Sequence, residues 1–136
     1  MSLTAKRSIG VQAIVTEALK ADLKAELQEA AEATQRRMDQ MDVQSRRFLA
    51  DLQRTDLTQA MSARRQIESE RRRQETLKQD IVRQMEEVDK LELGSEYPRG
   101  TLEGVVDLNE GDDLVRKLTG AEIVVKDGLI VEIREV

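Results

Sequence analysis

The 136-residue sequence predicts an α+β fold: a long antiparallel helical hairpin, paired as a coiled coil, inserted into a small antiparallel β-sheet or open barrel. Three observations carry this. Residues 17–93 contain no proline or glycine, are dense in Ala, Glu, Gln, Arg and Leu, and repeat their apolar residues at steps of three and four. The flanking stretches, 1–16 and 94–136, instead alternate apolar and polar residues between glycine-containing turns. Aromatic residues make up 1% of the chain, Phe48 and Tyr97 alone, which suits helices zipped along a narrow seam better than a thick globule.

In chain order, residues 8–15 alternate. Ile9, Val11, Ala13 and Val15 point one way and Ser8, Gly10, Gln12 and Ile14 the other, as in a half-buried strand. Thr16 then stands where a helix N-cap belongs, with Glu17 near the positive end of the helix dipole. The first half of the helical stretch offers a seam of Leu23, Leu27, Ala30, Thr34, Met38, Met41, Ser45, Phe48 and Leu52. The second offers Ala60, Ala63, Ile67, Glu70, Gln74, Leu77, Ile81, Met85 and Val88. Both runs are heptad-like, with stutters around Thr34 and Ile81.

Thr55-Asp56-Leu57-Thr58 reads as a tight turn, with Asp56 as N-cap and Gln59 three residues on in the manner of a capping box. Facing residues then carry numbers that add to about 112, so that Met38 faces Gln74, Thr34 faces Leu77 and Ala30 faces Ile81. The same rule fits a continuous helix paired antiparallel with a second molecule. The pattern therefore allows a monomeric hairpin or a homodimer through the arm. Each half would extend about 55 Å.

The arm is expected to end at Leu93-Gly94, followed by a loop through Tyr97-Pro98-Arg99-Gly100. Residues 101–108 form the next strand, with Gly104 at a bulge or a close approach. Residues 113–118 make one helical turn closed by Thr119-Gly120. The last two strands flank Lys126-Asp127-Gly128. A two-residue loop pairs Val125 with Ile130 but sets Ile123 against Glu132. A three-residue loop with Gly128 left-handed pairs only apolar residues on that face, and is the predicted geometry. It leaves Glu122 and Glu132 facing each other outside.

Leu91-Glu92-Leu93-Gly94-Ser95-Glu96, Gly100-Thr101-Leu102-Glu103-Gly104, Gly111-Asp112, residues 121–128 and residues 131–135 resemble the bacterial YlqD family. The resemblance implies the same layout: an N-terminal strand, a long Gln/Glu/Arg-rich helical segment and a C-terminal β region. It brings no activity, cofactor or catalytic residue with it. Some members are encoded among ribosome-maturation genes, an association with RNA or ribosome biology.

The chain has no cysteine and no histidine, which removes disulfides, thiolate nucleophiles, His-dependent triads and zinc sites built on nitrogen or sulfur. No Gly-rich phosphate loop is present. The acidic turn Asp107, Asn109, Glu110, Asp112, Asp113 fails as an EF-hand, because Asp112 and Leu118 stand where glycine and glutamate are required. No enzyme, cofactor or metal is expected. No apolar run reaches the roughly 20 residues that span a bilayer, so the expected location is cytoplasmic, with no membrane partner.

Charge is segregated. Residues 34–75 hold ten arginines against seven acids, a net +3, whereas from Leu91 onward eleven acids oppose five basic residues, a net −6. Arg46, Arg47, Arg54, Arg64, Arg65, Arg71, Arg72 and Arg73 are the candidate partner-binding residues, since guanidinium forks suit phosphate. Their competing role is pairing on the helix surface, as Asp42–Arg46, Arg47–Asp51, Glu68–Arg72 and Arg71–Glu75. The expected function is that of a non-enzymatic structural or adaptor protein presenting its arm to an unknown macromolecule, protein or RNA. The alternatives are RNA or ribosome binding through the arginine-rich tip, and a chaperone-like holdase.

Overall fold

The structure, a computed structural model, describes residues 1–135. Its elements are β1 (Ser2–Ile14), α1 (Glu17–Thr55), α2 (Leu57–Asp89), β2 (Glu96–Asn109), α3 (Leu114–Thr119), β3 (Ala121–Lys126) and β4 (Leu129–Glu135). They fall into two compact units. One is Asp22–Lys90; the other joins residues 1–21 to those from Leu91 onward.

In the helical unit Asp56 alone separates α1 from α2. Its extended backbone (φ −153°, ψ 99°) breaks the helix, and its carboxylate accepts the Gln59 N–H at 3.1 Å. The break needs neither glycine nor proline, because the side chain replaces the backbone bond that α2 lacks at its start. The helices are joined by an ion pair between Lys24 and Asp89, by Lys78 Nζ donating to Gln35 Oε1 at 2.7 Å, and by Arg71 donating to Asp42 at 3.0 Å. Each obeys the expected fold-back numbering. The hairpin closes within one chain.

The buried residues are Leu23, Ala31, Thr34 and Met38 on α1, and Ala60, Ile81 and Val88 on α2. Three expected seam positions move by one residue. Ala31 is buried and Ala30 exposed; two adjacent alanines give a periodicity argument nothing to choose between. Leu49 turns inward and Phe48 outward, because a narrow seam takes the aliphatic residue and not the ring. Leu77 is exposed, and Lys78 lays its stem along the groove to reach Gln35. From Asp42 round the turn to Arg71, Ala60 is the one buried residue among those described. The turn-proximal half is held by partly buried contacts only.

In the other unit the sheet order is β2-β1-β3-β4. β1 runs from Ser2, well before the expected residue 8, because its first half pairs antiparallel with 103–109 in a two-stranded ribbon. β2 likewise starts at Glu96, so Tyr97–Gly100 lies within a strand and not in a loop; Arg99 is the extra residue in a bulge beside Val11 and Gln12. β1 and β3 are parallel, which makes the sheet mixed rather than antiparallel. β2 runs back along β1, and α3 then reverses the chain onto the other side of β1. α3 is capped by Asp113, whose carboxylate accepts the Arg116 N–H at 3.1 Å.

The β3–β4 turn is also corrected. It has two residues, Asp127 (φ 49°) and Gly128 (φ 85°), a pair of left-handed residues that matches strand twist. Val125 pairs with Ile130, and the bulge falls further along, at Val131. That slip gives Ile123 a different apolar partner, Ile133 in place of the expected Val131, and sets Glu122 opposite Arg134 rather than Glu132. At Gly104 a Cβ would come within 2.8 Å of Ile9 Cδ1, so the glycine marks a close approach.

Thr16 caps α1 by accepting the Leu19 N–H at 3.1 Å, and its hydroxyl donates to Asp127 at 2.6 Å. α2 stops at Asp89, short of the expected Leu93. Gly94 (φ 89°) turns the chain so that its N–H reaches Val15 O at 2.9 Å, while the Val15 N–H donates to Ser95 O at 2.8 Å. The core here is small. Ala13, Val15, Ala121 and Val124 are buried, with Val15 and Val124 only 1% exposed.

Candidate functional site

The hairpin places all eight candidate arginines in exposed positions on the half nearest the turn. Two are engaged. Arg71 is tied across the hairpin to Asp42, and Arg73 to Glu70 one turn back at 3.2 Å. None of the four expected i,i+4 pairs forms among the described residues: Asp42 is taken by Arg71, and Arg46 is left out. Arg46, Arg47, Arg54, Arg64, Arg65 and Arg72 make no ion pair or hydrogen bond within the described chain.

A rotation of about 100° per residue sorts these side chains around the hairpin. Arg46 and Arg64 share the flank of the Asp42–Arg71 pair. Arg73 falls on the opposite flank, together with Phe48. Arg47, Arg54, Arg65 and Arg72 lie on the outer surfaces. The arginines ring the turn-proximal half instead of forming one stripe. Arg72 and Arg73 also border an open hollow of about 430 Å³ on α2, with Ser69, Thr76, Leu77 and Asp80. Phe48, expected in the seam, is 55% exposed and offers the one flat aromatic face on this half.

The acidic turn does local work. Asp112 accepts the Asn109 N–H at 2.8 Å and lies 3.7 Å from Lys117 Nζ; Asp113 caps α3; Asp107 accepts the Thr4 hydroxyl at 3.0 Å. Among the described residues no group of His, Cys, Asp and Glu is placed to hold a metal ion.

A second cluster went unnoticed in the sequence. Arg134 on β4 donates to Glu96 on β2 (3.1 Å from Nη1), Glu122 on β3 (3.4 Å) and Glu132 on its own strand (3.1 Å). It therefore links the two edge strands of the sheet, which must curl to let them meet. The only available signal was the Glu132-x-Arg134 alternation. Nearby, Arg7, with 18% of its side chain exposed, donates to Glu135 at 2.8 Å.

Hydrogen bonding to Arg134 holds the Glu96 carboxyl below its ordinary range, and hydrogen bonding to Arg7 does the same for Glu135. Arg134 is in turn pushed up by Glu96 and then by Glu132. Carboxylates held ionised cannot supply a proton at neutral pH, so neither serves as a general acid. They do make the sheet acid-sensitive. A folded pKa below the unfolded value contributes stability that is complete above about pH 4.3 and is lost as pH falls through the folded pKa. The sheet's melting temperature, followed through Tyr97, should hold from pH 7 to about pH 5 and fall below about pH 4. The Glu96→Gln/Glu135→Gln variant should start lower and fall less steeply.

Three comparisons bear on this chain. A family model described as "YlqD protein" matches residues 3–134. A crystallised protein from Synechococcus sp. WH 8102, described as of unknown function, superposes with a TM-score of 0.85 at 26% identity. That likeness covers 99% of this chain and 96% of the other. No curated protein matches. Among the described residues no helix is long and apolar enough to cross a membrane.

Proposed function

The chain belongs to the YlqD family, and from its geometry we propose that it is a non-enzymatic interaction protein whose helical hairpin presents its turn-proximal half to RNA. The observation that carries this reading is the ring of six exposed arginines with no partner among the described residues. A guanidinium already in a salt bridge must break it to bind; these need only shed water. Phosphate oxygens match the fork of donors, and releasing counterions from the RNA supplies the drive. Phe48 adds a face on which an unpaired base can stack, which an acidic protein surface would not use. The net −6 from Leu91 onward repels phosphate and confines contact to the arm. In this reading the helices pair as a coiled coil and the protein works in the cytoplasm, where RNA is met.

The test is fluorescence anisotropy with a labelled stem-loop RNA carrying an unpaired loop, titrated at several salt concentrations. Affinity should fall steeply with salt, with a slope of about 0.7–0.9 per phosphate contacted. Changing Arg64, Arg65, Arg71, Arg72 and Arg73 to Glu should lower affinity at least about 100-fold and flatten the slope. Equal binding by that variant, or none by the native protein at low salt, contradicts the proposal. Competition by polyglutamate as effective as by unlabelled RNA would assign the arm to an acidic protein instead.

A further inference from the structure

α1 and α2 are joined by a single residue, and helical hydrogen bonding runs up to it from both sides. The Asp56 N–H donates to Leu52 O at 2.7 Å, as the next residue of α1 would, and the Asp56 carbonyl accepts the Ala60 N–H at 3.0 Å. Only the extended φ and ψ of Asp56 keep the two helices from being one. Straightening that residue would give the N–H groups of Leu57, Thr58 and Gln59 the carbonyls of Gln53, Arg54 and Thr55. The one bond given up in exchange is that from the Gln59 N–H to Asp56 Oδ1. The two seams are also in phase across the break. On a continuous helix Asp56 would stand 18 residues, about five whole turns, from both Met38 and Gln74. Ser45 and Ile67 would be about six turns apart, and Leu23 and Val88 about eighteen. One face would then carry both seams, centred on Asp56. A hairpin does not require this phase, because its turn sets the rotation of each helix separately. A two-fold antiparallel pair of continuous helices does require it.

We propose that Asp56 is the residue that selects the closed hairpin over an exchanged dimer of continuous helices. A second copy fits as the alternative partner because it brings the same α2 that the chain's own α1 already binds. The Lys24–Asp89, Gln35–Lys78 and Asp42–Arg71 links would form again between copies. Asp56 opposes the exchange in two ways. Its carboxylate caps α2, a bond that exists only in the bent form. At the turn of the hairpin the side chain is exposed and its charge stays in water. In the dimer the two-fold axis would draw it into the seam against Asp56 of the second copy, two like charges moved together out of water. Exchange would also carry β1 to the far end of the helix from β2, β3 and β4 of its own chain, so each sheet would be completed by β1 of the other copy. That requires β1 to leave its sheet, and the choice is therefore made as the chain folds.

The test refolds each protein from denaturant at about 100 µM. The native chain should have the 15.4 kDa mass of a monomer by light scattering. Asp56→Leu loses the cap and sets an apolar helix former on the axis. It should have twice that mass with its ellipticity at 222 nm retained, and a dimer dissociation constant at least about 1,000-fold below the native one. Asp56→Ala, a milder change, should move the constant the same way by at least about 100-fold. The chain has no cysteine, so Gln35→Cys/Lys78→Cys joined by a short bismaleimide tells which helices pair. The link should form within one chain in the native background and between two chains when Asp56→Leu is added. Monomeric Asp56→Leu and Asp56→Ala proteins overturn the proposal. So does a dimer of either whose links stay within each chain, since intact hairpins would then be associating by their surfaces. A native protein linked between chains overturns it as well, because Asp56 would not be selecting the hairpin. None of these outcomes depends on RNA binding.

Discussion

Val124→Asp should unfold the sheet unit while the helical hairpin keeps most of its ellipticity at 222 nm. Val124 is 1% exposed and is one of four buried apolar residues among those described in that unit. A core this small yields a domain stable by only a few kcal/mol. Even Val124→Ala, which removes the equivalent of two methylenes and leaves a small void, costs about 2–3 kcal/mol. An aspartate adds the desolvation of a carboxylate that no partner offsets, several kcal/mol more. Tyr97 on β2 is the chain's only tyrosine and reports on the sheet; ellipticity at 222 nm is dominated by α1 and α2. Loss of Tyr97's near-ultraviolet signal with helix content retained is the expected pattern. A melting temperature within about 3 °C of native would show that the sheet does not rest on Val124. Loss of both signals together would show that the hairpin needs the sheet.

Local chemistry was legible in the sequence, and partner choice was not. Thr16, Asp56 and Asp113 were each readable as caps or turn residues, because capping depends on a few neighbouring atoms. The fold-back numbering was readable because an antiparallel helix pair has one free parameter, the position of the turn. The parallel pairing of β1 with β3 was not readable: alternation marks a strand without naming its neighbour. The bulge at Val131 follows the same logic. The apolar pairing of Ile123 was correctly demanded, but the extra residue that achieves it could sit in the loop or in the strand.

At the candidate site the sequence places the arginines near the turn but not their pairing. Asp42 pairs across the hairpin with Arg71, not along its own helix with Arg46. An i,i+4 rule cannot see the second helix. Phe48 reads as a seam residue because apolar residues usually belong there, yet its ring is 55% exposed on the arm. Arg134 was missed because its three carboxylates come from three strands, and only the curl of the sheet collects them.

The hairpin's own balance turns on Met38. It is buried, at the level where the fold-back numbering sets Gln74 opposite; Gln74 Nε2 donates to Glu70 at 3.1 Å while its Oε1 is buried with no partner among the described residues. Met38→Ala removes the largest buried side chain near the middle of the seam, and should cost about 2–4 kcal/mol. Because few residues between Met38 and the turn are buried, helix loss should begin there. Amide exchange should accelerate first around residues 41–70. Gln74→Leu should do the opposite. It removes an orphaned oxygen and fills the groove against Met38, a gain of about 1–2 kcal/mol visible as a higher melting temperature at 222 nm. Arg71, Arg72 and Arg73 sit directly beside this defect. If the polar seam keeps the arm adaptable for its partner, Gln74→Leu should raise stability while weakening RNA binding, although it removes no charge. Stability and affinity rising together would mean that the arm binds as a rigid rod.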